Sequence, residues 1–403
     1  MKILFLSTRF PYPPTTGDRH RTIRNFRILS ENNSVCLATF YADPKELKHL
    51  AELERYCEKI FSIPLPNWRS KWNLMSAMFT RDPLNAVYFR SRKMAKLIER
   101  ISGRGRFDVV ISGSIRMAQY LKLCEHSARV IDYGDCASLH FRRRMDHKRD
   151  LLYPFYAMEC SRLLRYEKKV HDMCDGAVVS SPVDKDALPE KDKLSVIPTF
   201  FDMPERIKEQ ESSEPFSIIF SGNVQYYSDE IAIIYFVREI YPLVRKKLPQ
   251  AKFYIVGGKP TQKIRDLEGQ GIIVTGFVED LQHHIRKACV SVAPMKVGAG
   301  ILCKVIEPMA AGTPVIVSSV ANGGVQARDG QQLMIADSPD AFAEKTVELL
   351  TNSALRQRMA KEARKYVEDN FSKGVIMGNT ERALRTAVES WVRKRSTMVS
   401  ADN

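Results

Sequence analysis

The sequence predicts an α/β fold built as two parallel-sheet domains, and three observations carry that expectation. Strand-like apolar runs alternate with helical patterns from end to end, the arrangement of βαβ units. At 403 residues the chain exceeds one ordinary core, and two domains of about 200 residues each are the natural division. Near the middle, Pro198-Thr199-Phe200-Phe201-Asp202-Met203-Pro204 closes the first series. Glu205 to Pro215 follows as a polar, acidic run without an apolar face, which reads as a linker.

In the first domain, residues 1–204, strands are expected at Lys2–Ser7, Ser34–Tyr41, Lys59–Ile63, Phe107–Ser112, Arg129–Asp132, Gly176–Ser180 and Leu194–Ile197. Each is a short apolar run bounded by polar or turn residues, as buried parallel strands are. Helical patterns fill the intervals at Arg21–Leu29, Pro44–Cys57, Lys93–Ile101 and Leu151–Met173. The second series begins with Phe216–Phe220 and continues through Lys252–Val256, Ile272–Val274, Cys289–Ala293, Pro314–Val317 and Gln332–Ile335. Pro339 to Lys394 is almost wholly helical in pattern.

Composition is that of a globular protein, 44% hydrophobic, with no apolar run of 18 residues. The opening Met1-Lys2-Ile3-Leu4-Phe5-Leu6 is too short for a secretory signal and reads as the first buried strand. Eight cysteines without C-x-x-C or metal-like spacing fit a reduced cytoplasmic setting. Charge is uneven. Residues 1–200 hold 35 Lys and Arg against 23 Asp and Glu, a balance of +12, whereas the remainder carries only +3 of the total +15. Nucleic acid is disfavoured, because no nucleic-acid-binding motif accompanies the basic residues. Two stretches suit peripheral contact with an anionic membrane at its cytoplasmic face. One is Trp68-Arg69-Ser70-Lys71-Trp72-Asn73-Leu74-Met75-Ser76-Ala77-Met78-Phe79, and the other is Arg142-Arg143-Arg144 through Lys148 and Arg149 to Leu151-Leu152-Tyr153-Pro154-Phe155-Tyr156. A solvated basic helix and a core helix with surface cations account for the same residues.

The most informative stretch is Gly298-Ala299-Gly300-Ile301-Leu302-Cys303-Lys304-Val305-Ile306-Glu307-Pro308-Met309-Ala310-Ala311-Gly312-Thr313-Pro314-Val315-Ile316. Glycines leading into a helix let backbone amides approach an anion, and the helix dipole favours negative charge there. Lys304 and Glu307, three residues apart, share one helix face. Lys304 would face a diphosphate and Glu307 the hydroxyls of the adjoining ribose. A strand–loop–helix unit with a snorkelling lysine would look similar at this level.

The string from Lys304 to Ile316 resembles the donor-site signature of the family 4 (group 1) glycosyltransferases, roughly E-x-x-x-x-x-x-x-E-A-M-A-x-G-x-P-V. Its first glutamate would fall at Ala299, so only Glu307 carries over. In that departure the chain resembles the sugar transferases associated with bacterial exopolysaccharide/PEP-CTERM export clusters. The resemblance implies a GT-B fold, two Rossmann-like domains facing across a cleft. It assigns the acceptor to residues 1–204 and the donor to 205–379, with a helix at about 380–395 returning to the first domain. It also implies a nucleotide-diphosphate sugar as co-substrate and retention of anomeric configuration.

Further donor contacts follow from the same resemblance: Gly222 and Asn223 after the Phe216–Phe220 strand, Gly257 in the second glycine turn, and Phe277 and Val278 near the nucleotide base. The usual arginine and lysine after the first glycine are missing, since Asn223 stands there and no basic residue precedes Arg238. Lys304 therefore leads as the phosphate partner. In the first domain, the loop after the first strand ends in Gly17-Asp18-Arg19-His20-Arg21 at a strand's carboxyl end, where open parallel sheets bind ligands. Gly17 turns the chain into the helix, and Asp18 suits a helix cap. Arg19 and Arg21 read either as phosphate or acceptor contacts or as surface charge. Asp135 and His140 follow the fifth strand, placed near the reaction centre or, for Asp135, at a helix start.

No D-x-D between apolar strands and no His/Asp cluster occurs, so no metal and no cofactor is expected. The expected activity is thus a retaining, metal-independent glycosyltransferase. Lys304, Glu307 and Asp135 stand nearest the chemistry, and the acceptor is a sugar or lipid-linked saccharide of exopolysaccharide synthesis. The rivals are a GT-B epimerase or sugar-phosphate synthase on a soluble substrate, and a degenerate donor-binding scaffold.

Overall fold

The computed structural model describes residues 1–14, 17–77, 80–103, 105–147, 151–188, 190–203, 213–297 and 300–401. Contacts divide the chain into two compact units, Met1–Thr199 with Lys373–Asn403, and Phe200–Ser372.

The first unit is a seven-stranded parallel sheet of order β3-β2-β1-β4-β5-β6-β7. Its strands are β1 Lys2–Ser7, β2 Ser34–Tyr41, β3 Lys59–Pro64, β4 Val109–Ser112, β5 Ala128–Gly134, β6 Gly176–Val179 and β7 Leu194–Val196. Ile3, Leu4, Phe5 and Leu6 are all buried, as strands covered on both faces require. The second unit is a six-stranded parallel sheet of order β10-β9-β8-β11-β12-β13. It comprises β8 Ser217–Ser221, β9 Lys252–Val256, β10 Ile272–Gly276, β11 Val290–Ala293, β12 Val315–Val317 and β13 Met334–Ile335. In both sheets the order turns back beside the first strand, at β1/β4 and β8/β11, which opens a crevice at the carboxyl ends.

The boundaries fall earlier than 204 and 380. Phe200 and Phe201 are buried, Phe201 joins the second unit's core, and its amide donates to the Phe371 carbonyl at 2.8 Å. The chain thus enters the second unit before the prolines that suggested the break. Most of the expected linker, residues 204–212, lies outside the described residues, and so do Met78, Phe79, Lys148 and Arg149. Glu214, assigned to that linker, is fixed instead: its carboxylate accepts from Lys252 Nζ and the Tyr254 hydroxyl, each at 2.7 Å. The last helix runs Lys373–Ala401 and packs on β5, β6 and the Gly17–Asn32 helix. It buries Ile376, Leu384 and Ala387, and Lys394 pairs with the buried Asp175 at 2.7 Å.

The helix after β5, Ala137–His147, opens on two buried acids from elsewhere in the chain. Asp184 Oδ1 accepts the Cys136 amide at 2.8 Å, and Glu167 Oε1 accepts the Ser138 amide at 3.0 Å. These are amides a helix start leaves without partners, at the positive end of its dipole. Burial nonetheless raises both carboxyls above the ordinary carboxylate range, the hydrogen bonds from Ser181 to Asp184 and Ser138 to Glu167 only opposing it. Glu167 Oε2 has no partner. A raised carboxyl favours the protonated form in the fold, so its contribution is present below the unfolded value and fades as pH rises through the folded one. Glu167→Gln keeps an acceptor for Ser138 and removes the charge. We expect its melting temperature, relative to the parent, to climb as pH goes from about 4 to 7. A flat difference across melts in that range would contradict this account.

Candidate functional site

The carboxyl ends of β8, β9 and β10 are laced together by backbone bonds. The Gly222 amide donates to Val256 at 3.0 Å and the Gly257 amide to Gly276 at 3.1 Å. A Cβ at position 257 would stand 2.1 Å from the Gly222 carbonyl oxygen, and one at 222 would stand 2.5 Å from Asp229 Oδ2. Only glycine lets these backbones approach so closely. Beside them opens a cavity of about 540 Å³ belonging wholly to the second unit.

Seven residues singled out in the sequence line this cavity together: Gly222, Asn223, Gly257, Phe277, Val278, Lys304 and Glu307. Lys304 and Glu307 project from the Cys303–Ala311 helix, which ends as expected at Gly312 in the left-handed conformation, φ 82°. Glu307 is half-buried. Phe277 is 80% exposed and Tyr226 62%, so two aromatic faces stand at the edge of the cavity. Gly300 is described but is not among the lining residues. Gly298 and Ala299 lie outside the described residues.

Lys304 differs from the lone cation that the sequence suggested. Its ammonium donates to Asp229 Oδ1 at 2.6 Å, with side-chain exposures of 11% and 3%. It also lies 5.5 Å from the centroid of the Phe220 ring. Asp229 comes from the first turn of the Tyr227–Tyr235 helix, and Ser228 Oγ donates to the same carboxylate oxygen at 3.3 Å. Among the described lining residues Lys304 is the single cation, against two acids, Asp229 and Glu307. The described lining is therefore not net positive. An ammonium has three donors, however, and Asp229 takes one of them. Asp229 escaped the sequence reading. It stands 75 residues from Lys304, and an acid in the first turn of a helix is explained by the helix dipole alone.

The first-unit candidates follow β1 and β5, and two of them, Arg19 and Arg21, are held by partners within the unit, although the Nε of each is buried without one. Arg21 donates through Nη1 to Ser180 Oγ at 2.8 Å and Thr199 Oγ1 at 2.7 Å, and through Nη2 to Asp132 Oδ1 at 2.7 Å. Burial works against its charge, but Asp132 outweighs that and raises its pKa. Arg21 is a strut from the Gly17–Asn32 helix to β5 and β6, not an open phosphate contact. Arg19 pairs with Glu46 and donates to the Pro13 carbonyl at 3.3 Å, which ties down its own loop. Gly17 begins the helix, and Asp18 in the first turn accepts the Arg19 amide at 3.0 Å. Asp135 and His140 are both exposed, with His140 Nε2 at 3.9 Å from Asp135 Oδ2. Partial burial pushes the Asp135 carboxyl up, but the His140 hydrogen bond and the charge of Arg21 hold it below its ordinary value.

Residues 215–352 match the family "Glycosyl transferases group 1". An "Uncharacterized 44.6 kDa protein in cps region" of Klebsiella pneumoniae is 21% identical over 387 residues, covering 92% of this chain and 96% of that one. Among solved structures, Anabaena Alr3699/HepE in complex with UDP superposes with a TM-score of 0.66 at 14% identity, over 96% of this chain and 100% of that one. Sucrose-phosphate synthase from Thermosynechococcus elongatus gives 0.69 at 15% identity, over 96% and 98%. Both likenesses are of fold. The matched residues lie in the second unit and build the cavity, so that unit carries a segment that matches the group 1 glycosyl transferases, and the chain has the GT-B fold of the structures it superposes on.

Proposed function

We propose that the protein is a retaining, metal-independent glycosyltransferase that takes its sugar from a UDP-sugar. The observation that carries this reading is the second-unit cavity, where Lys304, Glu307 and the start of the Cys303–Ala311 helix meet the glycine ends of β8 and β9. The UDP held by the Anabaena relative supports uridine as the base. Phe277 offers the base a stacking face, and Glu307 accepts hydrogen bonds from the ribose. Lys304, held in place by Asp229, presents its remaining donors to the diphosphate, and the first amides of the helix take up charge as the leaving group departs. Fixed donors of this kind are already oriented when that charge develops, which lowers the barrier without a Lewis acid. Asp135, beside His140, is assigned to the acceptor hydroxyl.

The acceptor in this reading is a sugar or lipid-linked saccharide in exopolysaccharide synthesis, a context supported by the cps-region relative. Peripheral contact with the cytoplasmic face of an anionic membrane belongs to the same proposal. Trp68, Trp72 and Met75 are each at least 60% exposed and follow helical spacing along Asn67–Ser76. Leu151, Phe155 and Met158 are exposed around the start of the Tyr153–Met173 helix. Among the described residues, no helix is long and apolar enough to cross a membrane. A second reading, sugar-phosphate synthesis on a soluble substrate, draws on the likeness to sucrose-phosphate synthase. Product analysis with a sugar phosphate as acceptor separates the two.

Three outcomes are expected. In calorimetry UDP binds and GDP does not, and Phe277→Ala weakens UDP by about 1–3 kcal/mol; equal binding of both nucleotides would remove the uridine assignment. Lys304→Met and Asp229→Asn each lower stability by about 3–5 kcal/mol, since each leaves a buried partner uncompensated. The double variant regains the melting temperature but not sugar transfer, and full transfer by it would discard Lys304 as the diphosphate contact. Finally, Trp68→Ser with Trp72→Ser reduces sedimentation with anionic vesicles and leaves UDP affinity unchanged. Undiminished sedimentation would exclude the Asn67–Ser76 helix as the membrane face.

A further inference from the structure

The first unit has its own crevice where β1 and β4 part, and the residues around it are not explained by the fold. Leu6 pairs with Ser112 across the two strands, and the Gly113 amide donates to the Leu6 carbonyl at 2.9 Å. The segments leaving the two strands therefore start side by side. One carries Arg9, and the other carries Ser114 and Arg116 in a turn closed by the Met117 amide on the Ser114 carbonyl at 3.1 Å.

Their side chains are poorly matched within the protein. Among the described residues, the half-buried Arg116 guanidinium has neither a hydrogen-bond partner nor an ion pair. Ser114 Oγ is enclosed and has no partner either. Arg9 reaches Asp18 only at 3.8 Å and stays 49% exposed. Burial lowers the pKa of Arg116, with Asp18 opposing the shift and Arg9 adding to it, so the three charges share one neighbourhood. Two guanidinium groups thus meet one carboxylate. Withdrawing an arginine from water without a partner costs stability. Among the described side chains only the more distant charge of Asp18 works against that cost, and Arg9 adds to it, whereas an incoming anion would offset it directly.

We propose that Arg116, Arg9 and Ser114 form an anion subsite in the first unit that receives a phosphate or carboxylate group of the acceptor. A guanidinium presents a planar fork that suits either group, and a hydroxyl adds one donor beside it. The position follows the general rule for open parallel sheets, which bind at the carboxyl ends where strand order reverses. The subsite deepens the functional reading above and rests on its assignment of the acceptor to the first unit. It narrows the acceptor class: a neutral saccharide alone would leave the subsite empty, whereas a saccharide carried on a phosphate, or one containing a uronic acid, would fill it.

The test uses the full chain. UDP affinity is measured first, and the UDP-saturated protein is then titrated with inorganic pyrophosphate and, separately, with methyl glucuronoside. One of these probes is expected to bind at a single further site. Arg116→Gln weakens that binding about tenfold or more, as loss of a charge-assisted contact does, and Arg9→Gln weakens it less. Because Arg116 has no partner and its buried charge costs stability, Arg116→Gln holds or raises the melting temperature and leaves UDP affinity unchanged, whereas loss of a structural contact would lower the melting temperature. The probe that binds identifies the anion as phosphate or carboxylate. No binding of either probe, or binding that survives both substitutions, overturns the subsite. Failure of UDP itself to bind would count against the donor reading instead, and the first measurement shows it independently.

Discussion

A lysine in the floor of a pocket holds one place only if something anchors it, and here that anchor is Asp229. The carboxylate is almost wholly buried and holds the Lys304 ammonium at 2.6 Å. Both the lysine and the acid crowd Gly222, where any side chain would collide with them. The glycine ends of β8 and β9, the first turn of the Tyr227–Tyr235 helix and the entry to the Cys303–Ala311 helix therefore form one mutually dependent arrangement. Buried ion pairs rarely add much net stability over an apolar pair of the same shape. What this pair supplies is a fixed orientation, so that the ammonium's remaining hydrogens are aimed before any ligand arrives.

The two units use the same architecture with different electrostatic solutions. In the second unit the described lining carries one cation against two acids, so its positive character rests on the oriented lysine and on backbone amides. In the first unit charge is plentiful but mostly spoken for. Arg21 is spent joining a helix to β5 and β6, and Arg19 holds its own loop through Glu46. Sequence charge counts cannot tell a strut from an open contact, because the difference lies in which carboxylates and hydroxyls the fold brings within about 3 Å.

Legibility followed sequence distance. Among the described residues, the thirteen strands were readable because most are short, largely apolar runs, as parallel strands covered on both faces tend to be. That Lys304, Glu307 and the glycine turns come together in one cavity was largely readable as well, since each sits in a local strand-to-helix junction. Asp229 was not, and neither was the role of Arg21. The partners concerned lie 75 residues away for Lys304, and 111, 159 and 178 residues away for Arg21, with no periodicity linking them. The boundary at 199/200 was misread for a related reason. Prolines mark where a chain turns, but burial of Phe200 and Phe201 decides which core a segment joins.

The long final helix has a consequence for how the molecule is made. The first unit is discontinuous: its sheet comes from residues 1–199, but the helix covering β5 and β6 comes from 373 onward. Residues 200–372 are contiguous and hold a complete core of their own. During synthesis, when domains form as units in the order they emerge, residues 1–194 can form their own core cluster first but leave one face without its cover. The earlier half waits with the β5–β6 face uncovered until Ile376, Leu384 and Ala387 leave the ribosome, so that face is the surface on which a nascent chain is most open to aggregation or to a chaperone.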